Sequence, residues 1–135
     1  MPDLPETLRD LQEFHGHLGP YVVVGLRMGA VGRRELGAYK GLTAEVTCSL
    51  KPPMLCVVDG VQFASQCTMG KGNITATEGG EPAAVFRKDG RTLTVTLRPG
   101  WRERIDREMS RELEVEQSVY YFEVPEETLL DITFA

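Results

Sequence analysis

Apolar residues near the start of the chain recur at helical spacing. They predict a first helix that begins at Asp3 or Pro5, with an apolar stripe formed by Leu4, Leu8, Leu11 and Phe14. The segment 14–20, Phe-His-Gly-His-Leu-Gly-Pro, ends this helix because its glycines and its proline favour turns. We therefore expect His15 and His17 on a loop or at helix ends.

A second helix is predicted over residues 21–36, with Gly37 as its C-terminal stop. Within it, Gly25, Gly29 and Gly32 recur at i, i+4 and i+7. Because glycine lowers helix stability, this stripe indicates that another backbone packs closely against it, in the same chain or in a partner.

β-Forming residues dominate the middle of the chain. Residues 43–50 predict a strand, which the prolines of the segment 51–53 end. A proline pair suits the entry to a helix, here one that carries Cys56 and Asp59, with Cys67 beyond its end. Three further strands are predicted to form an antiparallel meander, with Asp89-Gly90 as a hairpin turn: Ile74–Glu78, Ala83–Lys88 and 92–97.

The last third of the chain mixes helical and ambiguous segments. Ile105, Met109 and Leu113 recur at i, i+4 and i+8 and predict one amphipathic helix. Residues 119–124 fit either a strand or a helix, and Pro125 is typical of a short helix start. Together the elements predict the α+β class, with N-terminal helices packed on a mostly antiparallel sheet. The length of 135 residues fits one domain, 1–135.

Composition excludes several classes of protein. The chain is 41% hydrophobic and 26% charged, which is typical of a globular domain. Its net charge of −5 argues against nucleic-acid binding, since phosphates call for a basic surface. No apolar run approaches the roughly 18 residues of a membrane span. The first residues lack the basic and apolar regions of a signal peptide, so we expect a cytoplasmic protein.

The histidines and cysteines are the candidate metal ligands. Imidazole nitrogen and thiolate sulfur together suit zinc or a similar transition metal. We consider an ion held by His17, Cys56 and one of His15 or Cys67. Cys56 lies eleven residues before Cys67, which is not the spacing of a zinc ribbon, and the alternative for each cysteine is a place in the core. Cys48, in the middle of a predicted strand, is assigned to the core.

Cys56 has a further interpretation because it lies at the start of a predicted helix. Helix N-terminal amides stabilise a thiolate and lower its pKa, which favours a nucleophile or a metal ligand. Asp59 and Gln62 follow along the same side of the helix, where they can orient a histidine or a substrate. Asp59 is then a proton carrier. The alternative for both residues is helix capping or a surface position.

Segment 68–73 has the composition of an anion-binding loop. Glycines on both sides of Lys71 free the backbone amides, and Lys71 adds a positive charge. The residue order of a Walker P-loop is missing. We expect Lys71 to bind an anionic substrate group as a catalytic residue beside Cys56 and Asp59. The residues predicted to bind a cofactor are Gln62, Thr68, Gly70 and Asn73.

Two motifs carry a resemblance to a known family. The first is segment 14–20 followed by Gly-Leu-Arg-Met-Gly at 25–29. The second is Cys-x-x-Asp-Gly-x-Gln at 56–62 with Cys-Thr-x-Gly-Lys-Gly-Asn at 67–73. They resemble the motifs of the FmdE family, which is named for a component of formylmethanofuran dehydrogenase and whose members commonly have alanine in place of the first glycine of the second motif. The resemblance covers about residues 10–90. It implies an α+β core that is often dimeric. It also implies a metal or active-site pocket formed by His15, His17, Cys56 and, as a further candidate, Cys67.

The resemblance also bears on partners and on function. Many members carry an additional C-terminal zinc finger with Cys-x-x-Cys pairs, and this chain contains no such pair. The family name derives from association with a molybdenum or tungsten oxidoreductase, which is therefore an expected partner. We weigh a zinc-dependent enzyme or enzyme component against a non-catalytic protein that delivers a metal or a pterin-type cofactor. A regulatory homodimer with the glycine stripe as its interface is the third interpretation. A redox pair of Cys56 and Cys67 ranks last, because nothing in their spacing supports sulfur proximity.

Overall fold

The first helix supplies the start of the core. The structure, a computed structural model, describes residues 4–135, so the possible start at Asp3 lies outside the described residues. Helix α1, Glu6–His15, begins directly after Pro5. Leu8 and Leu11 of its predicted stripe are fully buried, whereas Phe14 is 52% exposed and does not join the core.

Helix α2, Pro20–Leu36, packs against helix α3, Cys56–Ser65, through glycine. A Cβ atom added to Gly25 would lie 2.0 Å from the carbonyl oxygen of Val57, and one added to Gly60 would lie 2.1 Å from the carbonyl oxygen of Val22. Such distances leave no room for any side chain. The close packing that the glycine stripe predicts therefore lies within one chain.

Five strands form one sheet in the order β2-β1-β3-β4-β5. Their bounds are Thr43–Cys48 for β1, Ile74–Glu78 for β2, Ala83–Lys88 for β3, Arg91–Leu97 for β4 and Leu130–Phe134 for β5. Strand β1 ends two residues earlier than predicted, and Leu50 is exposed. The β3–β4 hairpin turns at Asp89 and Gly90, as predicted, with positive φ angles of 50° and 76°. The sequence did not predict β5.

The predicted meander is wrong for β2. This strand pairs with β1 in parallel, whereas every other neighbouring pair in the sheet is antiparallel. Helix α3 connects β1 to β2 and carries the chain back to the beginning of β1, and such a crossover produces parallel neighbours. Strand β2 therefore occupies an edge of the sheet.

One face of the sheet is buried and packs on the helices. Burial alternates along β1, β3 and β4, as expected for strands with one covered face. Helix α2 contacts β3 and β4, and the ring of Phe86 lies against Gly32. Helices on one face of a mostly antiparallel sheet confirm the α+β class.

The predicted helix through Met109 is interrupted. Helix α4, Trp101–Glu108, ends before Met109, whose φ and ψ of −58° and 130° are extended. Helix α5, Glu114–Glu123, begins after a 3-10 turn at Arg111–Leu113. The break is stabilised from outside the segment, because the Gln117 side chain donates to the carbonyl oxygen of Glu108 at 2.8 Å. Residues 119–124 thus belong mainly to a helix, and the short helix α6, Glu126–Leu129, follows Pro125 as predicted.

None of the helices in the described part combines the length and the apolar character that a bilayer crossing requires.

Candidate functional site

The two histidines lie at the corner between α1 and α2. His15 is the last residue of α1, which Gly16 ends in a left-handed conformation, with φ of 99° and an N–H that donates to Gln12. His17 follows, and Gly19 caps the start of α2. The centroids of the two imidazole rings are 4.7 Å apart. The corner therefore presents both rings side by side.

His15 joins the histidine corner to helix α3. Its Nδ1 lies 2.6 Å from Oδ2 of Asp59, in the first turn of that helix. Because a carboxylate only accepts hydrogen bonds, Nδ1 donates and the lone pair of the neutral ring is on Nε2. That Nε2 is buried and has no hydrogen-bond partner among the described residues. A buried ring nitrogen with a free lone pair is a metal-ligand or acceptor position in need of a partner.

His17 has the same tautomer for a different reason. Its Nδ1 donates to the carbonyl oxygen of Leu18 at 2.8 Å, which again leaves Nε2 as the acceptor. Oε2 of Glu114 lies 3.7 Å from the same Nδ1, and the His17 side chain is 56% exposed. Unlike the His15 ring, this ring is largely open to solvent, so its Nε2 is accessible to a ligand.

Cys56 completes a small pocket, which we call the His-Cys pocket. Its volume is about 240 Å³, and its lining is mainly apolar apart from the two histidines, Cys56 and a few polar residues of the C-terminal third. The lining residues are His15, His17, Leu18, Gly19, Pro20, Tyr21, Val22, Pro52, Pro53, Cys56, Met109, Ser110, Arg111 and Glu114. Three of the predicted metal ligands therefore share one cavity.

The charge state of Cys56 differs from the expectation. Its position at a helix start predicts a lowered pKa, but burial, with a smaller contribution from the negative charge of Asp59, raises the pKa of the Cys56 thiol. Desolvation acts on the whole thiolate, whereas the helix terminus supplies only partial charges. Cys56 by itself is thus a thiol at neutral pH, and a bound cation would be needed to hold it as thiolate.

Cys67 and Cys48 lie outside this pocket. Cys67 is fully buried, and its Sγ donates to the carbonyl oxygen of Leu42 at 3.5 Å. Cys48 is buried on the inner face of β1, as predicted. All three cysteines are free thiols. Burial raises the pKa of the Cys48 and Cys67 thiols, as it does that of Cys56.

The predicted anion-binding loop lines a different depression. Thr68 and Lys71 form its rim together with Gln62 and the exposed aromatic rings of Phe14 and Tyr39. The Lys71 ammonium is 3.2 Å from Oγ1 of Thr68 and 5.0 Å from the centre of the Tyr39 ring. The structure therefore separates Lys71 from Cys56 and His15.

Gln62 is the link between the two depressions. Its side-chain nitrogen donates to Oδ1 of Asp59 at 3.3 Å, and its oxygen accepts from the backbone N–H of Met69 at 2.8 Å. A hydrogen-bonded path thus runs from the Met69–Lys71 turn through Gln62 and Asp59 to His15.

The other two predicted cofactor-binding residues lie in or next to the turn. Asn73 accepts from the backbone N–H of Thr68 at 2.8 Å and donates to the carbonyl oxygen of Leu42. Gly70 faces open space. The observed contacts of Asn73 shape the loop.

Four polar residues of the pocket were not predicted: Tyr21, Ser110, Arg111 and Glu114. The Tyr21 hydroxyl donates to Oδ1 of Asp106 at 2.5 Å, and burial together with this bond raises the pKa of Tyr21. Tyr21 directly follows the histidine segment, and this adjacency in sequence is a signal that could have identified it as a pocket residue. The remaining three lie some fifty residues or more beyond Cys56 in sequence, and only the fold brings them here.

The arrangement is not a preassembled metal centre. Across residues 4–135, no three His, Cys, Asp or Glu side chains are gathered in the way that a metal ion needs. The donor chemistry nevertheless fits a zinc-type ion, because the buried Nε2 of His15 lacks a partner and shares a pocket with a thiol and a second imidazole.

Comparisons with known proteins match most of the chain. The model of the family described as "FmdE, Molybdenum formylmethanofuran dehydrogenase operon" matches residues 14–132. A probable S-adenosyl-L-methionine-binding protein of Archaeoglobus fulgidus is 30% identical over an alignment of 102 residues, and the match covers 73% of this chain and 25% of that protein. The chain thus spans about a quarter of the length of this curated relative.

A solved structure shares the fold. It is the crystal structure of a tungsten formylmethanofuran dehydrogenase FmdE-like protein from Syntrophus aciditrophicus. The TM-score is 0.66 at 22% identity, and the match covers 96% of this chain and 70% of that one. At this identity, the match shows the architecture alone.

Proposed function

The chain belongs to the FmdE family, and we propose that it binds a zinc-type metal ion in the His-Cys pocket as an enzyme or enzyme component. The observation that carries the proposal is the buried, unpartnered Nε2 of His15. Its Nδ1 is held by Asp59, and a carboxylate on the far ring nitrogen is the usual way in which metal-binding histidines are oriented. Without a ligand, a buried acceptor of this kind costs roughly 1–3 kcal/mol.

The residues have distinct roles in this proposal. His15, His17 and Cys56 would hold the ion, and Asp59 would keep the His15 ring in the tautomer that binds metal. Gln62 would in turn hold Asp59, so it acts as a positioning residue. Three protein ligands would leave a coordination position open, and a zinc ion bound there would supply Lewis-acid chemistry toward a substrate oxygen or water.

Cys67 remains the alternative ligand to be tested. Its Sγ is hydrogen-bonded to Leu42 and lies outside the His-Cys pocket, which favours His15 over Cys67 as the partner of His17 and Cys56. Recruiting Cys67 would also require breaking that buried bond.

The experiment is elemental analysis of the purified chain after zinc reconstitution, with single variants alongside. We expect close to one zinc per chain in wild type and in Cys67→Ala, and loss of zinc in His15→Ala and Cys56→Ala. Circular dichroism and melting curves of each variant control for folding. Full zinc content in both His15→Ala and Cys56→Ala would refute the site, and loss in Cys67→Ala would bring Cys67 into it.

A second candidate function is delivery without turnover. In that case the pocket would hold a metal or a pterin-type cofactor for a molybdenum or tungsten oxidoreductase. The His17 side chain is 56% exposed, which favours a site that can also release its ion. X-ray absorption of the zinc-loaded protein separates the two functions. A water or another exchangeable ligand in the fourth position supports catalysis, and four protein ligands support delivery or a structural role.

Two further properties stay proposals. We expect a cytoplasmic protein, in keeping with its free thiols. We also expect a homodimer, supported by the exposed Phe14 and Tyr39 at the second depression, since the glycine stripe is already used within the chain. Light scattering that gives a monomer mass at micromolar concentration would refute the dimer.

Binding of S-adenosyl-L-methionine is not proposed, because the chain spans so little of the relative named for it.

A further inference from the structure

The break between α4 and α5 forms one wall of the His-Cys pocket. Residues 109–111, which we call the α4–α5 corner, leave the helical path, and all three line the cavity. Had the helix continued as its apolar spacing predicts, these residues would have followed its axis. The corner thus adds a serine and an arginine to the lining of a pocket whose other walls carry the candidate metal ligands.

The corner is held in place by contacts on both sides. Gln117 donates to the carbonyl oxygen of Glu108, which fixes the end of α4 against α5. Tyr21, itself a pocket residue, donates to Asp106 and ties α2 to the last turn of α4. A wall that is anchored to both neighbouring helices presents its side chains in a defined place.

Arg111 has no partner for its positive charge in the described chain. Among residues 4–135, its guanidinium makes no hydrogen bond or ion pair, whereas Arg102 and Arg104 of α4 are paired with carboxylates. Within the same described range, the Ser110 hydroxyl makes no side-chain hydrogen bond and does not cap the following turn. Arg111 is exposed and Ser110 is half-buried, so these two lining residues keep a guanidinium and a hydroxyl whose donors are available to a ligand.

We propose that the His-Cys pocket takes a small monocarboxylate, whose carboxylate is bound by Arg111 with Ser110 as a second donor. This proposal rests on the proposed function, because the rest of the ligand then faces His15, His17 and Cys56. Arginine binds carboxylates through two parallel N–H···O bonds, which fixes orientation as well as charge. The role expected of Lys71 thus passes to Arg111.

Size and charge narrow the class of ligand. A volume of about 240 Å³ is below the usual range for drug-sized ligands and suits a small metabolite. Glu114 adds a negative charge to the same lining, so a monoanion is favoured over a dianion such as phosphate. The apolar remainder, with Leu18, Val22 and Met109, favours a short carbon chain.

The test is calorimetric titration of L-lactate into the zinc-loaded protein, with lactamide and inorganic phosphate as comparison ligands. Lactamide has the same shape as lactate without the charge. We compare wild type, Arg111→Met and Arg107→Met. Arg107 is a matched control, because it is exposed on α4 and does not line the pocket.

We expect Arg111→Met to keep its zinc but to bind lactate roughly ten- to a hundredfold more weakly, the range for a lost charge-assisted hydrogen bond. Arg107→Met should bind like wild type. Lactate binding that is equal in Arg111→Met, absent in wild type or matched by lactamide would overturn the proposal. Tighter binding of phosphate would replace the monocarboxylate by a phosphate ligand.

Failure of the metal proposal is distinguishable from failure of this one. If the protein takes up no zinc, the proposed function fails, and lactate is then titrated into the metal-free protein by ¹H–¹⁵N NMR. Shifts of the Ser110 and Arg111 amide signals that Arg111→Met abolishes would support a carboxylate site of its own. Their absence would overturn it.

Discussion

The contact between α2 and α3 should tolerate no side chain at Gly25. In Gly25→Ala, the new Cβ would meet the carbonyl oxygen of Val57 at 2.0 Å, where real Cβ contacts stay beyond 3.0 Å. The neighbour is helix backbone, so relief requires α3 to move by about 1 Å or more as a unit. Because Val57 adjoins Cys56, the same movement would disturb the His-Cys pocket.

The expected cost follows from two opposing terms. Overpacking of a rigid core typically costs about 1–3 kcal/mol, and more when the clashing neighbour is backbone, so we take an overpacking cost of roughly 4 kcal/mol here. Alanine regains about 1 kcal/mol of helix propensity over glycine. The net loss in the free energy of unfolding is therefore about 3 kcal/mol, which corresponds to a melting temperature lower by roughly 10 °C at this chain length.

A graded series of variants makes the measurement decisive. In urea unfolding, Gly25→Ala should have a lower free energy of unfolding than Gly29→Ala, whose Cβ would lie 2.9 Å from the carbonyl oxygen of Val61. Gly80→Ala is the control, since its Cβ meets nothing within 4 Å, and it should stay within about 0.5 kcal/mol of wild type. A Gly25→Ala protein as stable as wild type would refute the close-contact argument, and so would a reversed order of the first two.

Two further predictions concern ionisable groups. Burial raises the pKa of the Cys48 thiol to about 11. Iodoacetamide at pH 8 should therefore leave Cys48 unmodified in the native protein and alkylate it in urea. Peptide mass mapping that finds rapid modification of Cys48 in the native protein would contradict this expectation. Hydrogen bonds from Arg34 lower the pKa of the Glu126 carboxyl from its ordinary value of 4.5. The ion pair of Arg34 and Glu126 should therefore stabilise the fold at pH 7, and this stabilisation should be lost as the pH falls through the lowered pKa of Glu126. The side chains of Arg34 and Glu126 are 52% and 33% exposed, so a double-mutant cycle should give only about 0.5 kcal/mol at pH 7. A coupling energy that is unchanged at pH 2 would count against the assignment.

Local signals in the sequence predicted much of the helical structure. Helix α2 ends at Gly37, and α3 begins after the proline pair, because caps and breakers act within a few residues of the element they bound. The Asp89-Gly90 turn was predicted for the same reason. Glycines at i, i+4 and i+7 also predicted a close helix contact, though not its partner.

Long-range pairing accounts for the errors. Strand β2 fits an antiparallel meander equally well by composition, and only the crossover through α3 makes it a parallel edge strand. The end of α4 depends on a cap donated by Gln117, nine residues after Glu108. Neither the parallel pairing of β2 nor the end of α4 can be read from the residues of that element alone.

The sequence by itself determined the chemistry that the site has available. The histidine and cysteine segments supply two imidazoles, a thiol and a carboxylate, and the motifs that carry them identify the family. Tertiary structure decided which of these groups meet. It places His15 against Asp59 and encloses Cys56, while Cys67 and Lys71 face other surroundings.

The same division holds for the electrostatics. Position at a helix start predicted a lowered pKa for Cys56, whereas its burial raises the pKa. Arg111 lies in a charged stretch of the sequence, and the structure places it just beyond the end of α4, where it lines the pocket. Desolvation and proximity depend on every element packed around a group, so residue type and spacing determine what a side chain can do and the fold determines where it does it.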